Sequence, residues 1–141
     1  MRVCVIDGRG GGLGRRLVAG LQLELGAAHH IVALGTNTVA AAAMKEAGAA
    51  QVGVGSCAIA ETLPTVDVIV TSLNFVLSGA MLGEVTPEIV RAILGARATK
   101  VLLPLNRARV EIVGAGAYTL EALITQSLSR VRSLISEVLP A

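Results

Sequence analysis

Five glycines within seven residues are the part of the sequence whose type and spacing best fit a binding site. They are Gly8, Gly10, Gly11, Gly12 and Gly14. Glycines in such a loop let backbone N–H groups and a helix N-terminus come close to a phosphate, because no Cβ stands in the way. We therefore expect a phosphate-containing ligand here. The alternative is that the glycines only make a tight turn between a strand and a helix.

The spacing of three of these glycines resembles the cofactor loop of the short-chain dehydrogenases and reductases. Gly8, Gly12 and Gly14 follow the pattern G-x-x-x-G-x-G. The residues that we expect to hold a cofactor are Gly8, Arg9, Gly10, Gly11, Gly12, Leu13, Gly14, Gly35, Thr36 and Asn37. The resemblance is confined to about the first 14 residues, and it implies a bound NAD(P) or another nucleotide.

The end of the second predicted strand bears on which nucleotide binds. An NAD site of this kind usually has an Asp or Glu there, which holds the ribose hydroxyls. Residues 34–38, Leu-Gly-Thr-Asn-Thr, contain no acid. Hydroxyl and amide groups, with Arg9 or Arg15 nearby, tolerate a 2′-phosphate better than a carboxylate does, so the sequence favours NADP. An adenine nucleotide or another phosphorylated ligand remains an alternative.

A second polar patch is expected near the ends of the later strands, from Asn74, Asn106 and Arg107. No catalytic residue can be assigned. The dehydrogenase proton relay needs a Tyr with a Lys four positions later, whereas Tyr118 is followed by Ala122 at that position. Glu84 is an acid with no partner visible in the sequence, in a glycine-containing loop that suggests a cover or a dimer contact. No spacing of side chains predicts a metal site.

Apolar runs alternate with helical patterns along the whole chain. Strands are predicted at 2–7, 31–34, 51–55, 66–71, 100–105 and 110–113. Helices are predicted from Gly12, over 39–47 with Thr38 as N-cap, near 57–62, from Pro87 to Leu94, and over 120–138. This order predicts an α/β fold of three layers, with a doubly wound, mostly parallel sheet of about five or six strands. We expect one Rossmann-like domain over residues 1–141.

Composition limits the classes of partner. The net charge of +2 and the lack of basic blocks argue against nucleic acid as a ligand. No apolar run approaches the about 18 residues of a membrane span, and the N-terminus has no signal-peptide pattern, so a cytoplasmic protein is expected. The last helix carries a wide apolar stripe, which predicts a homodimer. Its members are Leu120, Leu123, Ile124, Leu128, Val131, Leu134, Ile135 and Val138.

Nearly the whole chain resembles a small uncharacterised bacterial family of stand-alone Rossmann-like proteins. The resemblance is carried by residues 5–12, 33–37, 81–87, 103–107 and 111–114. It implies the fold and no activity. Three hypotheses follow for the function: a nucleotide-binding or sensing module, a small NAD(P)-dependent oxidoreductase with a site shared across a dimer, and a scaffold that binds no ligand.

Overall fold

A computed structural model describes residues 1–138, and its centre is a sheet of five parallel strands. The strands are β1 (Arg2–Asp7), β2 (His30–Gly35), β3 (Gln51–Val54), β4 (Val68–Ser72) and β5 (Thr99–Leu103). Their order is β3-β2-β1-β4-β5, and every neighbouring pair is parallel. This is the doubly wound α/β arrangement that the alternation of apolar patterns predicted.

Helices connect the strands and cover both faces of the sheet. They are α1 (Gly12–Leu25), α2 (Thr38–Glu46), α3 (Gly55–Thr62), α4 (Pro87–Gly95) and α5 (Leu120–Val138), with short 3₁₀ turns at Gly26–Ala28, Leu63–Thr65 and Leu73–Val76. α4 begins as its sequence indicates, since the Thr86 hydroxyl accepts a hydrogen bond from the N–H of Ile89. No helix in this part of the chain is long and apolar enough to cross a bilayer.

Alternate residues of the central strands enter two separate cores. Val3 and Val5 of β1 pack with Leu17 of α1 and Val131 of α5 on one face. On the other face, Ile6 packs with Ile59 of α3 and other buried residues that include Phe75. Because β1 is buried on both faces, its carboxyl end is held rigidly, and the loop that follows it starts from a fixed position.

Two sequence predictions about local structure are wrong. Thr38 is the first residue of α2 rather than its N-cap, because the side chain of Asn37 accepts the hydrogen bond from the N–H of Ala40. Residues 110–113 form no strand. The Asn106 side chain bonds to the backbone of Ala108 and Val110, and Arg109 has a φ of 58°, so the chain turns where an extended strand was expected.

The apolar stripe of α5 is used within the chain. Leu123, Ile124, Val131, Leu134 and Ile135 are all buried in the core that α5 shares with α1 and the sheet. Leu128 packs against α1 so closely that its Cδ1 lies 2.6 Å from where a Cβ on Gly20 would be. The side chain of Val138 lies outside the described residues. The apolar stripe therefore serves to pack α5 against the sheet of its own chain.

Candidate functional site

The glycine loop lies at the carboxyl end of β1, the central strand of the sheet. The connection from β1 leads through α1 to β2 on one side, and β4 lies on the other side. The strand order therefore reverses between β1 and β4. In open α/β sheets, a crevice forms outside the strand ends at this point, and ligands bind there.

Asp7, the last residue of β1, ties the loop to the start of α1. Its carboxylate accepts hydrogen bonds from the N–H of Gly8 at 2.8 Å and of Gly14 at 2.7 Å. Burial raises the pKa of Asp7, the two N–H donors lower it, and the nearby charge of Glu84 raises it, so that the pKa lies above its ordinary value. Asp7 thus satisfies one of the N–H groups that the first turn of α1 leaves free.

Two other N–H groups of that turn remain available. Within residues 1–138, the N–H groups of Gly12 and Leu13 have no hydrogen-bond partner. A Cβ added at Gly10 or at Gly12 would meet no atom within 4 Å. The protein's own packing therefore does not require glycine at these two positions, whereas the close approach of a ligand would.

Three other glycines of the loop do have structural reasons. Gly11 has a φ of 72°, and a Cβ there would lie 2.9 Å from backbone atoms of Ala40. A Cβ on Gly14 would lie 2.6 Å from the sulfur of Met44, and one on Gly8 would lie 2.8 Å from the Thr36 hydroxyl oxygen. Tight turning and close packing account for Gly8, Gly11 and Gly14, but not for Gly10 and Gly12.

A carboxylate from another segment lies beside the end of β2, although residues 34–38 themselves contain no acid. Glu84, from the connection between β4 and α4, accepts three hydrogen bonds on its Oε1. The donors are the Thr36 hydroxyl at 2.6 Å, the Asn37 side-chain amide at 2.9 Å and the backbone N–H of Arg9 at 3.1 Å. The structure thus gives Glu84 three partners that its sequence context does not reveal, and it brings a carboxylate to the end of β2 from a distant segment.

The surroundings of Glu84 keep it charged. Partial burial raises the pKa of Glu84, but the hydrogen bonds from Thr36, Arg9 and Asn37, together with the charge of Arg9, outweigh that effect and hold the pKa below its ordinary value. Near neutral pH, a negative charge therefore stands beside Thr36 and Asn37. The absence of such a charge is one of the two grounds on which the sequence favours NADP, the other being the nearby arginines.

The segment that carries Glu84 folds back on itself before it reaches α4. The N–H of Gly79 donates to the carbonyl of Val85 at 2.7 Å, and the N–H of Gly83 donates to the carbonyl of Gly79 at 3.1 Å. Met81 and Leu82 both have a φ of 57°, in the left-handed region. This closed turn, residues 77–85, brings the Met81 methyl group to 3.1 Å from where a Cβ on Gly8 would be. It therefore lies directly on the glycine loop.

The second predicted patch is brought together only in part. The side-chain oxygen of Asn74 accepts a long hydrogen bond, 3.4 Å, from the N–H of Arg107. Asn106 is engaged with its own loop, through Ala108 and Val110. A cleft of about 540 Å³ lies beside this region, lined by Arg9, residues 77–82, Arg107 and Ala108. Two arginines and the turn at 77–85 thus share one cleft.

Fold and site together define the chain as a Rossmann-like α/β protein with a glycine loop at the carboxyl edge of its sheet. Residues 2–136 match the family described as Domain of unknown function (DUF3842), and the chain belongs to that family. This confirms the resemblance to an uncharacterised family of Rossmann-like proteins. No curated protein matches the chain.

Two solved structures are similar to the chain. One is a dodecameric FMN-dependent Ubix-like decarboxylase from Escherichia coli O157:H7, with 12% identity, coverage of 96% of this chain and 95% of that chain, and a TM-score of 0.54. The other is a nucleoside-diphosphate-sugar epimerase from Pseudomonas aeruginosa, with 15% identity, coverage of 99% of this chain and 50% of that chain, and a TM-score of 0.49. At these identities, the likeness to the decarboxylase supports the fold alone.

Proposed function

We propose that the chain binds NAD(P) or a related nucleotide through the glycine loop and acts as a binding or sensing module. The observation that carries this proposal is the open space at Gly10 and Gly12, beside the unpaired N–H groups of Gly12 and Leu13. A phosphate there would accept hydrogen bonds from these groups and lie at the positive end of the α1 dipole.

The other predicted cofactor residues fit around that phosphate. Gly35, Thr36 and Asn37 stand at the end of β2, where the ribose of a dinucleotide lies in this fold. Arg9 follows Gly8 in the loop and also lines the neighbouring cleft. The structural neighbour that is described as FMN-dependent is compatible with a nucleotide-type cofactor, but it shares only the fold with this chain.

Thermal unfolding in the presence of nucleotides tests the proposal. NAD, NADH, NADP, NADPH, ATP, AMP and FMN are each added, and at least one should raise Tm, because a ligand at a hundredfold excess over its Kd adds about 2.7 kcal/mol to the stability of the native state. Gly12→Val should abolish this shift and leave the Tm of the free protein nearly unchanged, since its side chain enters open space.

Gly95→Val is the matched control, because Gly95 is also surrounded by open space but lies at the end of α4. It should keep the nucleotide shift. If no nucleotide changes Tm, the glycine loop is only a turn and the scaffold hypothesis is favoured. If a nucleotide raises Tm and Gly12→Val keeps the shift, the nucleotide binds elsewhere on the chain and the proposed role of the glycine loop is wrong.

The cleft beside the loop favours a second candidate, a small NAD(P)-dependent oxidoreductase. Arg9 and Arg107 line this cleft within one chain, and their charges suit an anionic substrate. Oxidation of NADH or NADPH in the presence of a set of 2-oxo acids, followed by its absorbance, would reveal such an activity. Turnover that Arg107→Ala abolishes without weakening nucleotide binding would support it, and absence of turnover would favour the binding module.

We also propose that the chain is a homodimer. The α5 stripe is buried against its own sheet and does not support the assembly, so the support comes from the turn at 77–85, where the side chain of Leu82 is exposed. Light scattering at working concentration should give twice the mass of the chain, and a monomer mass would overturn the proposal.

A further inference from the structure

The carboxylate of Glu84 holds a defined position between the ends of two strands. Its Oε1 takes donors from the loop after β1, through the N–H of Arg9, and from the end of β2, through Thr36 and Asn37. Three donors on one oxygen restrict the side chain much more than that of an exposed glutamate on a loop is restricted. The carboxylate of Glu84 is therefore held in one position at this edge of the sheet.

This position is where the ribose of a bound dinucleotide is recognised in the Rossmann fold. The acid that holds the ribose hydroxyls ordinarily ends the second strand. Here Oε1 of Glu84 stands 2.6 Å from the hydroxyl of Thr36, the first residue after β2, and 3.1 Å from where a Cβ on Gly8 would be. The turn at 77–85 thus supplies from another loop the group that the end of β2 lacks.

The free part of the carboxylate has the right chemistry for a diol. Among residues 1–138, Oε2 of Glu84 has no hydrogen-bond partner. A carboxylate is an acceptor only, so Oε2 can take a hydrogen bond from a ribose hydroxyl and has no donor to offer to a phosphate.

A 2′-phosphate would meet repulsion at the same place. Arg9 contributes one positive charge near Glu84, and the charge of Glu84 also acts on the carboxyl of Asp7. Beside Glu84 the charge of Arg9 is therefore balanced by that of Glu84 itself, which leaves no excess of positive charge at this carboxylate for the added phosphate.

We propose that Glu84 binds the ribose hydroxyls of the nucleotide and gives the site a preference for a free 2′-hydroxyl over a 2′-phosphate. This rests on the nucleotide binding proposed above and deepens it: the ligand class is NAD, ADP-ribose or another nucleotide with an unmodified ribose. Glu84 acts here as a specificity-determining residue.

Titration calorimetry with NAD and with NADP on the full chain tests this inference. The wild-type protein should bind NAD at least about tenfold more tightly, and Glu84→Gln should reduce the ratio of the two Kd values to near one by weakening NAD and strengthening NADP. Glu61→Gln is the control: Glu61 is an exposed acid of α3, and this variant should keep the wild-type ratio.

The outcomes separate this inference from the proposed function. If neither NAD nor NADP binds to the wild-type protein and no other nucleotide raises its Tm, the proposed function fails. If both nucleotides bind but Glu84→Gln leaves the ratio of the Kd values unchanged, only the role of Glu84 fails. If Glu84→Gln lowers both Kd values equally, the role of Glu84 also fails, and Glu84 then acts as a cover of the site. If Glu84→Gln does not fold, Thr36→Val, which removes the shortest hydrogen bond to Glu84, should shift the ratio in the same direction, and an unchanged ratio would overturn the inference.

Discussion

The carboxyl edge of the sheet has two ends, one at the glycine loop and the end of β2 and the other at the loop after β5. They are stabilised by different kinds of contact. At the end of β1 and β2, polar groups are held by partners far away in sequence: Glu84 bonds to the N–H of Arg9 from 75 residues away. Beyond β5, Asn106 bonds to backbone groups only two and four residues away, in an exposed loop. The first end is organised by the tertiary structure and can hold a ligand in one geometry, whereas the second is organised locally and can adapt.

Glycine-to-alanine substitutions give the largest effect that distinguishes the two ends. Gly11 and Gly114 both have positive φ, 72° and 92°, but a Cβ on Gly11 would lie 2.9 Å from backbone atoms of Ala40, and one on Gly114 would meet nothing within 4 Å. We expect Gly11→Ala to lower the free energy of unfolding by about 3 kcal/mol, from left-handed strain and overpacking together. Gly114→Ala should lose about 1 kcal/mol, from the strain alone.

Urea unfolding of the two variants measures this difference. Equal losses would mean that α2 can move away from the glycine loop, and that the end of β1 and β2 is no more rigid than the loop after β5. If the urea midpoint of Gly11→Ala equalled that of the wild-type protein, the comparison would be contradicted.

The parts of the molecule that could be predicted from sequence are those in which one segment determines its own structure. The apolar run of β1, the glycines after it and the Thr86-Pro87 start of α4 each act over a few residues, and the structure has these elements at the expected places. The similarity to the solved decarboxylase structure supports the same fold.

What could not be predicted depends on contacts between segments. Nothing local in residues 34–38 indicates that Glu84 would arrive there, because the distance depends on how the turn at 77–85 packs on Gly8. Residues 110–113 alternate in a way typical of a strand, but the side chain of Asn106 and the left-handed Arg109 turn the chain instead. The glycine-containing turn before Glu84 is the one available signal in the sequence. It suggests a cover or a dimer contact and does not show which segment the turn would contact.

A smaller effect distinguishes the two ends through pH. The pKa of Glu84 is lower in the folded protein than its ordinary value of 4.5, so its charge adds stability above about pH 4.5, and this contribution is lost as the pH falls through the folded pKa. Glu84→Gln should therefore be less stable than wild type at pH 7, by less than about 1 kcal/mol, and should approach wild type in acid.

Unfolding free energies between pH 3 and pH 7 would reveal this convergence. Glu111→Gln is the control from the other end, because Glu111 is exposed and makes no side-chain hydrogen bond within the described residues. This variant should match wild type at neutral pH. A constant difference between Glu84→Gln and wild type across the whole range would mean that Glu84 acts through shape rather than charge.

The smallest effect on stability belongs to Asn106, although it makes as many hydrogen bonds as Glu84. Its amide donates to the carbonyl of Val110 at 2.8 Å, and its oxygen accepts from the N–H groups of Ala108 and Val110 at 3.1 and 3.0 Å. These bonds are exposed, so water replaces them when Asn106→Ala removes the side chain, and the loss should stay below about 0.5 kcal/mol. Hydrogen exchange at the amides of Ala108 and Val110 should nevertheless become faster, while that of Gly14, whose N–H is bonded to the buried Asp7, should not change. Faster exchange at Gly14 as well would mean that the two ends of the edge are coupled, and that the loop after β5 helps to position the glycine loop.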